Sequence, residues 1–535
     1  MRVVNVPELP LEDRVITSIL ADRASAMPDA PFVHIDGLSY SYGAMYEASM
    51  TVARALAGIG VKPGQRVVMM LANRSEFLLG WFGTAMLGAT VVPINPGWKA
   101  ETLSYILKDA APSALILTQN LLPEVGEILP AITELTTLVV LDASEESSSI
   151  PGSAVRLVSW QEFLSGGSRS IALPEVPHFG DTLAVLYSSG TTGRPKGIVM
   201  PHAHIYSFGI QWSRATNFSA VDTLYAPTPL FYMQATVLGV VPTLMAGAQV
   251  HVASRFSASR YWQGVRESKA TIAHGQFSLV PLLLKQPPSP SDREHNCSRF
   301  FIAKSNAEFE ERFGVRIVEI YGSTESNIVC YNPWDAPKPG SAGKAAPNFE
   351  VVIVDDEDRE LPQGHIGEIV ARPRAPFLIS GGYYHRPEIT LEALRNMWFH
   401  CGDRGYFDED GYLYFVDRKK DVIRRKGENI SSAEVERQVN THADVLESAA
   451  VPVPAETAED EVMIFVVPLP GRQIEPADLI SYLQGILPSF MIPRFVAVVD
   501  ALPKTGSMKV EKGKLRELGI SPTTWDREAG QYVSA

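Results

Sequence analysis

Between two apolar segments the chain reads Leu186-Tyr-Ser-Ser-Gly-Thr-Thr-Gly-Arg-Pro-Lys-Gly-Ile-Val-Met200, with small hydroxyls at Ser188, Ser189, Thr191 and Thr192 and a cation at Lys196. Hydroxyls and backbone N–H groups freed by glycine are short donors, and phosphate oxygens suit such a cluster. Lys196 adds a compact point charge. The run is not a Walker loop: the glycine–lysine–hydroxyl ending is missing at the required offset, and a strand rather than a helix is predicted to follow. Further on, Tyr321-Gly-Ser-Thr-Glu325 sets a hydroxyl beside a carboxylate. Cys401-Gly-Asp403 supplies a carboxylate among glycines. Lys509 lies in a lysine cluster running from Lys504 to Lys514. Taken singly, Glu325 reads as a surface carboxylate, Asp403 as a turn residue and Lys509 as a solvated lysine.

Helix-like and strand-like apolar periods alternate along much of the chain, which predicts an α/β protein. Tyr46–Gly58 reads as a helix and Arg66–Leu71 as a buried strand. The glycines of Gly58-Ile-Gly-Val-Lys-Pro-Gly64 follow a helix and precede a strand, the reverse of a dinucleotide site, so they predict a turn. Phe77–Trp98 is free of charge and approaches membrane-spanning length, but Gly88, Pro93 and Pro96 divide it into a buried helix and a core strand. Gln286–Asp292 reads as an exposed loop. From Ile366 onward short strands and turns take over, ending in the basic run Arg418–Lys426, a plausible linker. A helix near Ser432–Val439 and a strand at Val462–Val467 then predict a small α+β domain with a frayed end.

The chain has 535 residues, enough for three to four ordinary domains. Hydrophobic residues make up 45% and charged residues 20%, which excludes a wholly disordered chain. A net charge of −13 argues against a dedicated nucleic-acid binder, while a local basic cleft could still hold phosphate. Three cysteines, Cys297, Cys330 and Cys401, make neither a disulfide framework nor a metal site and suit a reducing cytoplasm. No export signal or membrane insertion is expected.

The Leu186–Met200 string resembles the signature loop of the adenylate-forming superfamily, which includes acyl-CoA synthetases, luciferases and peptide-synthetase adenylation domains. The resemblance recurs in order. Tyr321–Glu325 matches the second signature, and Cys401-Gly-Asp403 matches the ribose aspartate motif with cysteine in the usual place of threonine. Asp417–Asp421 and Lys426-Gly-Glu-Asn-Ile430 match the interdomain hinge and its following loop, and Leu502–Lys509 matches the C-terminal lysine motif. Asp292–His295 through Glu311–Arg316 looks like the branch of crotonobetaine- and carnitine-CoA ligases. The resemblance implies a large N-terminal domain over 1–416 of α/β subdomains plus a β-barrel-like subdomain, a hinge at 417–421 and a small mobile α+β domain over 422–535. It implies an acid–thiol ligase that activates a carboxylic acid with ATP and Mg2+ through an acyl-adenylate, then transfers it to coenzyme A.

By that resemblance Thr191, Thr192 and Lys196, with Ser188 and Ser189, hold the β- and γ-phosphates, Thr324 donates to the α-phosphate and Glu325 positions Mg2+. Tyr321 stacks on adenine, flanked by Gly322 and Ser323, while Asp403 and Arg418 take the ribose. Lys509 bridges carboxylate and α-phosphate, Lys420 is the pivot, and Lys426, Gly427 and Glu428 border the coenzyme A tunnel. Tyr232, Gln234, Gly275 and Gln276 belong to the acyl pocket, whose walls Tyr206–Trp212, Tyr232–Leu238 and His274–Val280 mix aromatics with glycine. A medium or bulky acid, cyclic or terpenoid, fits as well as a short chain, and a homodimer is the expected assembly. Three departures stand out: Phe301–Asn306 replaces a glycine-rich loop, Ser507-Met508-Lys509 replaces Thr-Gly-Lys, and Tyr232 stands where histidine is common. Methionine adopts positive φ only at a cost, so Lys509 is expected to approach differently. Two alternatives follow: an enzyme that only thioesterifies a preformed acyl-adenylate, and a non-catalytic acyl or nucleotide sensor. A serine hydrolase is excluded by the absence of a Gly-x-Ser-x-Gly elbow.

Overall fold

The computed structural model of the chain describes residues 6–143, 155–168, 170–188, 195–275, 279–302, 305–419, 421, 423–425, 428–454, 460–505 and 508–533. They divide into two compact units, one built from residues up to Ser188 together with Arg194–Val351 and Ala371–Phe399, the other chiefly from Val352–Val370 and His400–Ala535.

The first unit contains two seven-stranded sheets. In one, the parallel strands Arg156–Ser159, Thr137–Leu141, Ala114–Thr118, Arg66–Met70, Thr90–Pro93 and Thr182–Ser188 are ordered side by side, and Lys196–Pro201 closes the edge antiparallel to the last. The predicted break in the long apolar run falls as expected: Ser75–Met86 is a helix with every residue buried except Glu76, Gly88 takes φ 71°, and Thr90–Pro93 is a buried strand. Gly60 and Gly64 take φ 90° and 77° between helix Tyr42–Gly58 and strand Arg66–Met70, the predicted turn. Among the described residues no helix is long and apolar enough to cross a membrane.

The second large sheet orders Arg316–Val318, Arg299–Phe301, Ile272–His274, Thr223–Ala226, Gln249–Val252, Pro31–Ile35 and Leu38–Ser41, parallel except for the last. Loops that carry ligand sites are expected at the carboxyl ends of such strands. After the second large sheet the chain forms an antiparallel three-stranded sheet (Ile320–Ser323, Asn327–Tyr331, Lys344–Ala345) and a four-stranded sheet lying mainly in the second unit.

Helix His202–Thr216 is buried along nearly its whole length. Its first histidine is held neutral by its place: His202 Nδ1 accepts from the Ile16 N–H at 3.2 Å, and burial lowers the pKa of both His202 and His204 from 6.5 to about 4. The unfolded chain therefore binds protons that the folded chain refuses. Stability is complete above about pH 6.5 and falls as pH drops toward 4, on the order of 3 kcal/mol for each such histidine. The urea midpoint followed by tryptophan fluorescence should drop between pH 7 and 4.5, and His202→Gln should flatten that drop. A midpoint independent of pH over this range would contradict the assignment.

The second unit has a five-stranded sheet, with Val445–Pro454, Asp460–Pro468, Phe495–Val498, Thr524–Asp526 and Gln531–Tyr532 in order. Helix Ser432–Val439, capped by the Ser431 side chain accepting from Glu434 N–H, buries Val435 and Val439 against it, as its spacing predicts.

Candidate functional site

Ser189, Thr191, Thr192, Gln276, Lys420, Lys426 and Gly427 lie outside the described residues, as do the side chains of Ser188 and Glu428. The remaining candidates fall into one set in each unit.

In the first unit, strand Lys196–Pro201 brings Lys196 to the end of its sheet, and the hairpin Ile320–Ser323 with Asn327–Tyr331 carries the second signature. A bulge falls between Tyr321 and Gly322, where a side chain on Gly322 would lie 1.9 Å from the Asn327 carbonyl oxygen, so only glycine fits there. Tyr321 is half-buried and pairs with Cys330 across the hairpin. Ser323 and Ser326 exchange backbone-to-hydroxyl bonds at 3.0 and 3.1 Å, which shapes the turn that presents Thr324 and Glu325. The Thr324 hydroxyl donates to the Met233 thioether at 3.0 Å, a weak acceptor that a phosphate oxygen would readily replace.

Three residues outside the predicted set fasten this turn. His204 Nε2 stands 2.9 Å from the Thr324 carbonyl, and its Nδ1 is 3.2 Å from the Asn327 amide nitrogen. Nδ1 also lies 2.9 Å from the Leu378 carbonyl, to which the Asn327 amide donates at 3.0 Å, so the neutral ring donates to one of two carbonyls, Thr324 through Nε2 or Leu378 through Nδ1. The third is Tyr383, whose hydroxyl donates to Glu325 Oε1 at 3.0 Å while the Lys196 ammonium lies 5.3 Å from its ring centroid. Burial, then the neighbouring Glu325 charge, raises the Tyr383 pKa, so the phenol stays a donor. Backbone bonds pin this segment: Ser380 N–H donates to the Glu325 carbonyl at 2.9 Å, and Gly381 and Tyr384 N–H groups donate to the Val199 and Gly197 carbonyls at 2.8 Å each. A Gly-Gly-Tyr-Tyr run at 381–384 was the available signal, but nothing local tells which strand it grips.

Of the acyl-pocket candidates, Tyr232 and Gln234 are partly exposed on the segment after strand Thr223–Ala226. Asn95 donates to the Tyr232 hydroxyl at 3.2 Å, and the Gln234 amide donates to the Gly275 carbonyl. The chain then runs through a π-helical turn, Thr236–Val240, a wide turn frequent at functional sites. Tyr206 faces elsewhere: its hydroxyl accepts from Leu9 N–H at 2.8 Å and donates to the Pro7 carbonyl at 3.2 Å.

In the second unit, Asp403 and Arg418 are paired across antiparallel strands, with Arg418 Nε 3.6 Å from Asp403 Oδ1. On either side of Lys420 in the chain, the Lys419 ammonium bonds Glu368 and Asp356 at 3.1 Å each, and Asp421 accepts from Arg516 at 2.8 Å. Lys509 is exposed on a turn closed by Thr505 N–H to the Lys509 carbonyl at 2.8 Å, Met508 N–H to the Thr505 carbonyl at 2.8 Å and Lys509 N–H to the Thr505 hydroxyl at 3.2 Å. Met508 takes φ 63°, the glycine-like conformation, despite its side chain. Holding it there costs roughly 1–2 kcal/mol. Met508→Gly should therefore stabilise this unit by about 1 kcal/mol or less once the looser unfolded chain is counted, raising its urea midpoint, whereas β-branched Met508→Ile should lower it. A glycine variant less stable than the parent would mean that the strain is absent.

Among the described residues no group of three His, Cys, Asp or Glu side chains is placed to hold a metal. Glu325 is half-buried and engages Tyr383 through Oε1. A carboxylate of this kind is a donor that suits Mg2+, which is commonly bound through one or two carboxylates, phosphates and waters.

Comparison with known proteins agrees with this geometry. Residues 20–384 match the AMP-binding enzyme family and residues 434–509 its C-terminal domain. A crotonobetaine/carnitine–CoA ligase from Salmonella heidelberg is 31% identical over 486 residues, covering 89% of this chain and 93% of that one. ATP-bound MatB from Rhodopseudomonas palustris is similar with a TM-score of 0.82 at 25% identity, covering 94% of this chain and 98% of that one. The anthranilate CoA ligase AuaEII, solved with anthranoyl-AMP, shares the fold with a TM-score of 0.84 at 24% identity, covering 95% and 98%.

Proposed function

The chain belongs to the AMP-binding enzyme family, among the acyl-CoA synthetases of the adenylate-forming superfamily, and we propose that it joins a medium or bulky carboxylic acid, cyclic acids included, to coenzyme A. In the first step a carboxylate oxygen attacks the α-phosphorus of ATP and pyrophosphate leaves. In the second the coenzyme A thiol attacks the acyl carbon, AMP leaves, and the thiol proton passes to solvent.

The observation that carries the reading is the gathering of Lys196 and Glu325 about Tyr383, with Thr324 next to Glu325 in the chain, from segments 129 residues apart in sequence (196 to 325). The transition state of the first step concentrates negative charge, so cations and donors aimed at phosphate are what lower its barrier. Lys196, with Ser188, Ser189, Thr191 and Thr192, would hold the β- and γ-phosphates; Thr324 would exchange its thioether partner for an α-phosphate oxygen. Glu325 would hold Mg2+, which when bound neutralises phosphate charge. Tyr321, Gly322 and Ser323 would flank adenine, Asp403 and Arg418 would take the ribose hydroxyls, and Lys509 would bridge the carboxylate and α-phosphate.

Two chemistries on one nucleotide call for two arrangements of the C-terminal domain. It would turn about Lys420, exchanging Lys509 for the loop of Lys426, Gly427 and Glu428 that borders the thiol's path. What supports this reading is that Lys419 bonds Asp356 and Glu368, which precede the linker in sequence, while Asp421 bonds Arg516, which follows it. Tyr232, steadied by Asn95, and Gln234, tied to Gly275 beside Gln276, would shape a neutral acid pocket.

The test combines acid-dependent exchange of labelled pyrophosphate into ATP with thioester formation across a panel of carboxylic acids, including crotonobetaine because the Salmonella relative is named for it. Exchange and thioester formation with the same acid are expected. Thioester formed only from synthetic acyl-adenylate would favour the non-adenylating alternative, although the glycine-like φ of Met508 supports an intact lysine turn. Neither product from any acid would sink the proposal.

A further inference from the structure

We propose that Tyr383 is a positioning residue that keeps Lys196 and Glu325 apart and aims the Glu325 carboxylate; the proposal rests on the magnesium role given to Glu325 above. Lys196 and Glu325 carry opposite charges and both touch one side chain, yet among the described residues they form no ion pair. The phenol accounts for this. Its ring gives the ammonium a face to rest on, 5.3 Å from the centroid, and its hydroxyl occupies Glu325 Oε1 at 3.0 Å. Were the ring removed, a lysine and a carboxylate in a partly dry cleft would pair directly, and each would have to be pulled from the other before phosphate or metal could bind.

The backbone that carries the ring is itself held in three ways. Tyr383 N–H donates to the Thr390 hydroxyl at 2.9 Å, Tyr383 bridges Ile198 in antiparallel fashion, and its two neighbours donate to or accept from Gly197 and Val199. Gly382 takes φ 93° with Thr390 pressed against its α-carbon, so the preceding backbone has little freedom to swing. The segment thus ties the base of the phosphate loop to the carbonyl of Glu325, and the phenol repeats that tie through side chains.

The experiment titrates Mn2+ into full-length enzyme saturated with a non-hydrolysable ATP analogue, reading free Mn2+ by electron paramagnetic resonance. Analogue affinity without metal is measured separately by calorimetry. Tyr383→Phe keeps the ring and loses the hydroxyl, so Mn2+ binding should weaken about tenfold, the loss expected for one hydrogen bond to a charged group, with metal-free analogue affinity changed less than about twofold. Tyr383→Leu should weaken both, because Lys196 is then free to pair with Glu325. Glu325→Gln is the control. If it binds Mn2+ like the parent, the magnesium role itself fails. If it loses Mn2+ and Tyr383→Phe does not, the Tyr383 proposal is overturned. As a reading that needs no mutant to bind, 3-fluorotyrosine enzyme should show one fluorine resonance, assigned by its absence in Tyr383→Phe, that shifts when Mg2+ joins the analogue; a resonance that stays still overturns the proposal too.

Discussion

Lys509→Ala is expected to slow acyl-adenylate formation by about a hundredfold or more while leaving conversion of synthetic acyl-adenylate to thioester within a few-fold of the parent. A charged donor aimed at developing phosphate charge contributes about 1.5–3 kcal/mol as a hydrogen bond, and more where it acts mainly on the transition state. The second half-reaction has no carboxylate to bridge to phosphate, so the same ammonium has little to do there. Truncation at this position is a clean test, because the bonds that close the turn use Lys509 backbone N–H and carbonyl and the Thr505 hydroxyl, none of which alanine removes. Lys509→Arg should recover only part of the rate, since a planar fork does not replace a point charge on an unbranched stem. Pyrophosphate exchange reads the first half-reaction and coenzyme A consumption from adenylate reads the second. Equal losses in both would remove Lys509 from the role proposed for it.

The contrast between Lys509 and Tyr383 shows what a sequence makes legible. Lys509, Glu325, Asp403 and Lys196 stand in short strings whose chemistry is local, so spacing and resemblance name them before any fold is known. The alternation of apolar periods likewise predicts the α/β class, and Gly88 with its prolines predicts where helix Ser75–Met86 gives way to strand Thr90–Pro93. Tyr383 and His204 act through partners 58 and 120 residues away, and no periodicity encodes a contact at that range. The π-helical turn at Thr236–Val240 is invisible for another reason: its apolar residues read equally as helix or buried strand, and the wider turn is set by packing. Met508 is the converse case. Propensity argues against positive φ there, but two backbone bonds and one to the Thr505 hydroxyl, all within five residues, close the turn, and local strain of about 1–2 kcal/mol does not reopen it.

Arg299→Met should destabilise the first unit by about 3–5 kcal/mol, the usual result of leaving one buried charge without its partner. Arg299 is 3% exposed and Asp222 0% by side chain, and Arg299 Nη2 bonds Asp222 Oδ1. The guanidinium also donates to the carbonyls of Thr216 and Asn217 at 2.9 Å each, closing the end of helix His202–Thr216 where Asn217 turns left-handed at φ 49°. Burial alone would raise the Asp222 pKa, but the Arg299 charge, with bonds from Arg299, Thr271 and Ser219, holds it below the usual carboxylate value. Removing Arg299 therefore strands a carboxylate and two helix carbonyls at once. Replacing both partners, Arg299→Met with Asp222→Leu, should cost less than the single change, since no unpaired charge remains. The urea midpoint reads both, and a single variant within about 1 kcal/mol of the parent would show the pair to be dispensable. The consequence for catalysis follows from topology. Asp222 and Arg299 sit at the amino ends of strands Thr223–Ala226 and Arg299–Phe301, while Tyr232 and Gln234 follow the carboxyl end of the first strand, and His204 at the helix's other end holds Thr324. The ion pair thus fixes the strand that leads to Tyr232 and Gln234 and the helix whose His204 meets Thr324, the residues to which the proposed function gives the acid and the α-phosphate.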